Sequence, residues 1–202
     1  MIEGRKGGHP VVAATLDLAM WSLRGVRRRL LPEARGRVLE IGCGTGANLP
    51  FYTDAERVVA IEPDPHMLRR ARRKAERAAV PVELLRGSAE DLPFADASFD
   101  TVVATWVLCT IPHPERAARE MRRVLHADGA LLFAEHTRAA GARAAGLQHA
   151  LNPAWARIAG GCHLDRDALG ILAAAGFRDL AVEPIGRQSW TLLPMLRGSA
   201  RR

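Results

Sequence analysis

Between residues 36 and 135, short apolar runs rich in β-branched residues alternate with longer stretches dense in arginine and alanine at helical spacing. That alternation leaves few solutions. Parallel strands cannot be joined by a tight turn, so each apolar run must be linked to the next by a crossover that packs on a face of the sheet. The expected fold is α/β, a doubly wound, mostly parallel sheet. Strands are expected near Arg37 to Ile41, Arg57 to Ile61, Val82 to Arg86, Phe99 to Ala104 and Ala130 to Ala134. A helix is expected over Pro65 to Ala79, where Met67, Leu68, Ala71, Ala75 and Ala78 recur every three or four residues and arginines take the other face. A second runs from Pro114 to Leu125 and stops before the turn signal Asp128-Gly129.

The flanks extend this core. Val11 to Leu31 reads as one amphipathic helix carrying Met20, Trp21 and Arg24, Arg27, Arg28 and Arg29, placed to lid a pocket. Leu147 to Ala159 is helical around Pro153, and Asp165 to Ala175 is a helix that Asp165 caps and Gly176 ends. Phe177 to Glu183 and Gln188 to Leu193 are expected to pair antiparallel. Residues 1–35 are therefore read as tail and lid helix, and residues 36–202 as one catalytic domain. Ile2-Glu3-Gly4-Arg5 matches a protease recognition sequence, which puts residues 1–8 outside the fold.

No run of 18 uncharged apolar residues occurs and no secretory signal opens the chain, so a soluble, cytoplasmic protein without a stable membrane anchor is expected. Cys43, Cys109 and Cys162 lack C-x-x-C spacing and are read as free thiols. The net charge of +7 is almost all arginine, since Lys6 and Lys74 are the only lysines, and it is scattered along helices without aromatics for base stacking. A small-molecule partner is expected, and no nucleic acid.

Val38-Leu39-Glu40-Ile41 runs into Gly42-Cys43-Gly44-Thr45-Gly46-Ala47-Asn48, a strand entering a glycine-rich turn and then a helix, where backbone approaches a ligand closely. Gly42, Gly44 and Ala47 also satisfy a dinucleotide pattern, and Glu62, twenty residues beyond Gly42, suits a ribose in either case. Charge separates the two. Glu40, two residues before the first glycine, repels a pyrophosphate but attracts a cofactor bearing a sulfonium and an ammonium. A short-chain dehydrogenase also needs Tyr-x-x-x-Lys, whereas the only tyrosine is Tyr52 and position 56 is Glu56. Pro63 turns the chain, Met67 packs on an adenine, and Ser88 in the turn Gly87 to Phe94 clasps its edge.

Leu39 to Gly46, Glu62-Pro63, Glu90-Asp91-Leu92-Pro93-Phe94 and Arg122 to Gly129 together resemble class I methyltransferases. The resemblance implies a seven-stranded sheet with a reversed last strand and S-adenosylmethionine as methyl donor, leaving S-adenosylhomocysteine. It implies Glu40, Gly42, Gly44, Gly46 and Asn48 at the methionine end, Glu62, Pro63 and Met67 at ribose and adenine, Ser88, Ala89 and Glu90 at the adenine edge, and Thr105 beside them. Ser88 departs from the aspartate many members carry. Gly46 to Tyr52, Val107 to Thr110, Phe133 to His136, Leu151 to Trp155 and Gly161 to Leu164 are similar to mammalian methyltransferase-like proteins that methylate small alkyl thiols, though without their hydrophobic N-terminal anchor.

A thiol with pKa near 8.5 is already a few per cent thiolate at neutral pH, so methyl transfer to sulfur needs positioning and a weak base rather than an elaborate constellation. His136, at the C-terminal end of a strand, is the expected proton acceptor. Trp21, Trp106, Cys109, Trp155 and His163 are expected to line the acceptor pocket. Cys109, Cys162, His136 and His163 show no metal-ligand spacing, and no metal is expected. Two other readings stay open: methylation of carbon or oxygen on a quinone-like ring, and a non-catalytic cofactor-binding module.

Overall fold

The computed structural model describes residues 21–186 and 192–202. Seven strands, β1 (Gly36–Ile41), β2 (Ala55–Ile61), β3 (Val82–Leu85), β4 (Phe99–Thr105), β5 (Leu125–His136), β6 (Arg178–Ile185) and β7 (Met195–Arg201), form one sheet in the order β3-β2-β1-β4-β5-β7-β6. β1 to β5 run parallel, and β7 is antiparallel to both β5 and β6. This is the doubly wound architecture with a reversed last strand. The order turns back at β1, between β2 and β4, and at such a switch point the loops leaving the strands diverge and open a crevice.

Side chains along a strand alternate faces, and a sheet covered on both sides needs apolar residues on each. Leu39, Ile41, Val59, Ile61, Val102 and Phe133 pack into one core, while Val38, Val58, Ala60, Val103 and Leu132 pack into a second on the opposite face. The helices are α1 (Arg24–Leu30), α2 (Pro65–Ala75), α3 (Pro114–Val124), α4 (Ala142–Ile158) and α5 (Ala168–Ala174). α2 starts where Asp64 accepts from the amides of His66 (2.7 Å) and Met67 (3.3 Å) with Pro65 in the first turn, and it buries Leu68 and Ala71 in the second core. α3 contributes Ala117, Ala118, Met121 and Val124 to the first.

Several expected boundaries move. α2 ends at Ala75, four residues early, and no α-helix follows the glycine-rich loop: a single 3-10 turn, Leu49–Phe51, takes its place. Pro50 has no amide hydrogen, and the side chain of Asn48 is engaged elsewhere, so neither supports a continuing helix. Asp128-Gly129 does not end the element; it lies inside β5, where the register slips so that Phe99 faces Leu125 but Thr101 faces Ala130. Asp167, not Asp165, caps α5, accepting from the Gly170 amide at 2.9 Å, while Asp165 meets His149 Nδ1 at 2.8 Å. Met195–Arg201 pairs antiparallel with β6, and Gln188 to Leu193, expected to do so, lies mostly outside the described residues. Arg197, Gly198 and Arg201 disguise β7 as a polar tail, yet Leu196 and Ala200 alternate inward, and a Cβ at Gly198 would stand 2.1 Å from the Ala181 carbonyl oxygen. Of the expected N-terminal helix, Val11 to Met20 lies outside the described residues, and Trp21–Leu23 is a 3-10 turn leading into α1.

Candidate active site

At the C-terminal ends of β1, β2, β4 and β5 the loops enclose two adjoining cavities of about 490 and 300 Å³. Both are lined by Gly42, Gly44, Trp106, Thr110 and Ala159, so they are two halves of one cleft. Gly42 and Gly44 hold φ values of +61° and +55°, a left-handed region costly for residues with a Cβ. A Cβ on Gly42 would also lie 2.3 Å from Val107 Cγ2. Gly46 (φ +77°) turns the loop against α2, where a Cβ would meet Leu49 and Ala71; it shapes the loop but does not line the cleft.

The larger cavity is floored by a buried polar network. Glu40 Oε1 accepts from Asn48 Nδ2 at 3.0 Å and Glu40 Oε2 from the Tyr52 hydroxyl at 2.9 Å, while Asn48 Nδ2 also donates to Thr105 Oγ1 at 2.9 Å. Asn48 Oδ1 accepts from Arg27 Nε at 2.8 Å. Burial pushes the Glu40 carboxyl up to about 7, a rise only partly opposed by Tyr52, Asn48 and Arg27. Arg27 comes from α1 and is itself buried, its guanidinium stacked 4.8 Å from the Trp106 ring centre. The helix expected as a lid thus reaches the site through Arg27 and Leu23. Trp21, expected in the acceptor pocket, is 66% exposed and faces a separate cavity with Arg24 and Phe51.

The smaller cavity holds Glu62, Pro63, Asp64, Met67, Ser88 and Ala89. Glu62 is buried, and its carboxylate accepts from the Gly44 amide (2.9 Å) and the Asp64 amide (2.9 Å), which ties the glycine loop to the end of β2. Burial holds its pKa above the usual carboxylate range. Glu90, expected at the adenine edge, lies behind the wall, accepting from the His113 amide at 2.7 Å and the Ser88 hydroxyl at 3.2 Å. Trp106 stands between the two cavities with φ +51°, unusual for a bulky residue, and its indole N–H has no hydrogen-bond partner among the described residues. A strained residue with an unsatisfied donor at the junction of a divided cleft marks a ligand site.

The far wall of the larger cavity brings together Cys109, His136, Trp155 and Cys162. His136 Nε2 is 3.0 Å from Cys162 Sγ. A hydrogen bond from Cys109, and after it His136, holds the Cys162 thiol well below the ordinary range, while the same bond and burial push Cys109 up. His163 does not join them; its Nδ1 meets Asn152 Nδ2 at 3.1 Å and it does not line the cavity. Arg27 and Glu135 are site residues that no motif in the sequence marks. Arg27 was one of many helix arginines with nothing to single it out. Glu135 is fully buried, raised by burial to about 7, and its Oε1 accepts from the amides of Val107 (2.9 Å) and Leu108 (3.1 Å), fixing the turn that carries Cys109. A charged residue between apolar Phe133-Ala134 and His136 was the available signal.

Residues 39–133 match a family model described as a methyltransferase domain. Human thiol S-methyltransferase TMT1A is 37% identical over 175 residues, covering 84% of this chain and 72% of its own length. Human thiol S-methyltransferase TMT1B is 38% identical over 159 residues, 76% of this chain, and the chain spans 65% of that relative's length. Among solved structures, the YcgJ protein from Bacillus subtilis superposes with a TM-score of 0.68 at 19% identity, over 90% of this chain and 98% of that one, which speaks to the fold. Among the described residues no helix is long and apolar enough to cross a membrane. Glycine loop, split cleft and relatives agree: this chain belongs to the S-adenosylmethionine-dependent methyltransferases.

Proposed function

We propose that this enzyme transfers the methyl group of S-adenosylmethionine to the sulfur of a small thiol. The observation that carries the reading is the similarity to thiol S-methyltransferases over 175 residues, a span too long to be confined to the cofactor half, so it takes in the wall of Cys109, His136, Trp155 and Cys162.

The cleft fits the donor. S-adenosylmethionine supplies a methyl group made electrophilic by a sulfonium. Glu40, Gly42, Gly44, Asn48 and Thr105 are assigned its methionine end, with Gly46 shaping the loop and the Glu40 carboxylate opposite the ammonium. Glu62 takes the ribose hydroxyls, Pro63 and Met67 the adenosine face, and Ser88 and Ala89 the adenine edge, with Glu90 holding Ser88 from behind. Residues 1–35 act as tail and lid and residues 36–202 as the catalytic domain, with Arg27 fastening the two through Asn48. The acceptor enters against Trp106, Cys109 and Trp155, and its proton leaves at the wall that holds His136. Trp106 and Trp155 flank the cavity and confine the acceptor to an orientation that favours in-line displacement.

Release of S-adenosylhomocysteine from purified enzyme offered a panel of small thiols, phenols, quinols and amines tests the reading. Turnover confined to thiols is expected. Turnover only on ring substrates would overturn the acceptor assignment, and silence across the panel despite tight donor binding would favour a binding role.

A further inference from the structure

The convergence of two sulfurs and an imidazole on one cavity wall has no part in holding the donor. Cys109 Sγ, His136 Nε2 and Cys162 Sγ all lie within 4.8 Å of one another. They come from three separate segments, and hydrogen bonds to backbone groups fix each. Glu135 grips the amides of Val107 and Leu108 just before Cys109, and Arg166 Nη1 donates to the carbonyls of Leu108 (3.0 Å) and Ile111 (2.5 Å) around it. The His163 amide donates to the Cys109 carbonyl at 2.9 Å, and Asn152 Oδ1 accepts from the Leu164 amide at 2.9 Å, so the residues after Cys162 are tied to the Cys109 turn and to α4. His136 sits at the end of β5, paired with Met195 of β7. The fold thus sets the backbone around all three donors, and the His136 ring, whose Nδ1 has no hydrogen-bond partner among the described residues, turns its Nε2 to Cys162 Sγ at 3.0 Å.

We propose that Cys109, His136 and Cys162 are the protein ligands of a zinc-type divalent cation whose fourth position, open to the cavity, takes the acceptor sulfur. Donor chemistry selects the ion, because two thiolates and an imidazole suit zinc and exclude the hard cations that demand oxygen. Size agrees. Zinc–sulfur and zinc–nitrogen distances near 2.3 and 2.0 Å set donor separations of about 3.6 Å in a tetrahedron, the scale on which these three atoms lie. Three protein ligands with one position left free is the pattern of a catalytic rather than a structural zinc site. Charge agrees as well: two thiolates neutralise the ion, and a third, the acceptor, leaves one negative charge facing the donor's sulfonium.

The proposal rests on the thiol reading and changes one role in it, since His136 becomes a ligand and need not take the proton itself. A thiol that coordinates gives up its proton to water in the open cavity. The lone pair of the bound sulfur then forms a bond to the methyl carbon as the carbon–sulfonium bond breaks. The products are the methyl thioether and S-adenosylhomocysteine, and the neutral thioether, a weaker ligand, departs.

Enzyme purified under reducing conditions without chelator is expected to carry about one zinc per chain by elemental analysis. Chelated enzyme titrated with cobalt(II) is expected to develop, at one equivalent, the visible ligand-field bands of a tetrahedral site and a thiolate charge-transfer band. Adding a small alkyl thiol should shift those bands, and adding a phenol should not. Cys162→Ser, a half-buried position, should weaken cobalt binding by at least the roughly 100-fold that loss of an outer-shell partner can cost. His136→Gln provides a second variant should the serine enzyme fold poorly. Absence of both zinc and the cobalt spectrum would overturn the site, and full thiol turnover by metal-free enzyme would overturn it while leaving the proposed function standing. Cobalt bound stoichiometrically but indifferent to thiols would overturn its role in holding the acceptor.

Discussion

Replacing Glu40 by glutamine should stabilise the ligand-free enzyme in alkali and weaken its hold on the donor. Burial raises the Glu40 carboxyl from 4.5 to about 7. Between those values the folded chain keeps a proton that the unfolded chain has released, so stability falls as pH rises, by about 1.4 kcal/mol per pH unit, and the loss is complete just above pH 7. By pH 8 that amounts to about 3 kcal/mol, with Glu135, raised to the same value, adding a similar amount. Glutamine keeps an oxygen for Asn48 and offers a donor to the Tyr52 oxygen but has no charge to bury. Urea unfolding should therefore find the variant within about 1 kcal/mol of the native enzyme at pH 5 and about 3 kcal/mol more stable at pH 8. Saturating S-adenosylmethionine should narrow that gap at pH 8 to about 1 kcal/mol, because a carboxylate opposite its ammonium contributes about 2 kcal/mol, or about 30-fold in affinity by calorimetry. If the native and variant midpoints differed by the same amount at both pH values, burial of an ionisable Glu40 would not be what shapes the pH dependence.

Arg27→Ala should remove the tie to Asn48 and the stack on Trp106 together, raising KM for the donor about 10-fold in the S-adenosylhomocysteine release assay, and an unchanged KM would dismiss α1 as part of the site. Gly42→Ala forces a left-handed conformation and a 2.3 Å approach to Val107, so donor binding should drop below detection by calorimetry while circular dichroism still reports a folded protein. Glu135→Ala should strip the acceptor from two buried amides and lower the unfolding free energy measured in urea by about 2 kcal/mol at pH 5, where Glu135→Gln, which retains that acceptor, should not.

Much of this enzyme was legible along the chain because its signals are local. The alternation of apolar runs and arginine-rich helices sets a parallel sheet, and a glycine loop preceded by Glu40 and followed at the next strand's end by Glu62 places a cationic cofactor at the C-terminal edge. Element ends were less legible: Asp165 and Asp167 are equally good caps on paper, and only packing chooses Asp167. Arg and Gly in β7 hid a strand that its neighbours complete.

Trp106, Cys109, His136 and Trp155 were named along the chain and line the larger cavity, but how they meet was beyond the reach of sequence. Cys109, His136 and Cys162 lie tens of residues apart in segments of no shared period, and they meet only because β4 and β5 are neighbours and the segment after α4 folds back on the turn that follows β4. Trp21 and His163 looked as eligible as Trp106 and Cys109, yet the chain's path turned the first toward solvent and the second toward Asn152. Periodicity and spacing along the chain were enough to determine the parallel strands of the sheet and to point to the cleft at their C-terminal ends. Which side chains face one another across the cleft was decided by tertiary packing, since proximity between distant segments carries no signature in either segment alone.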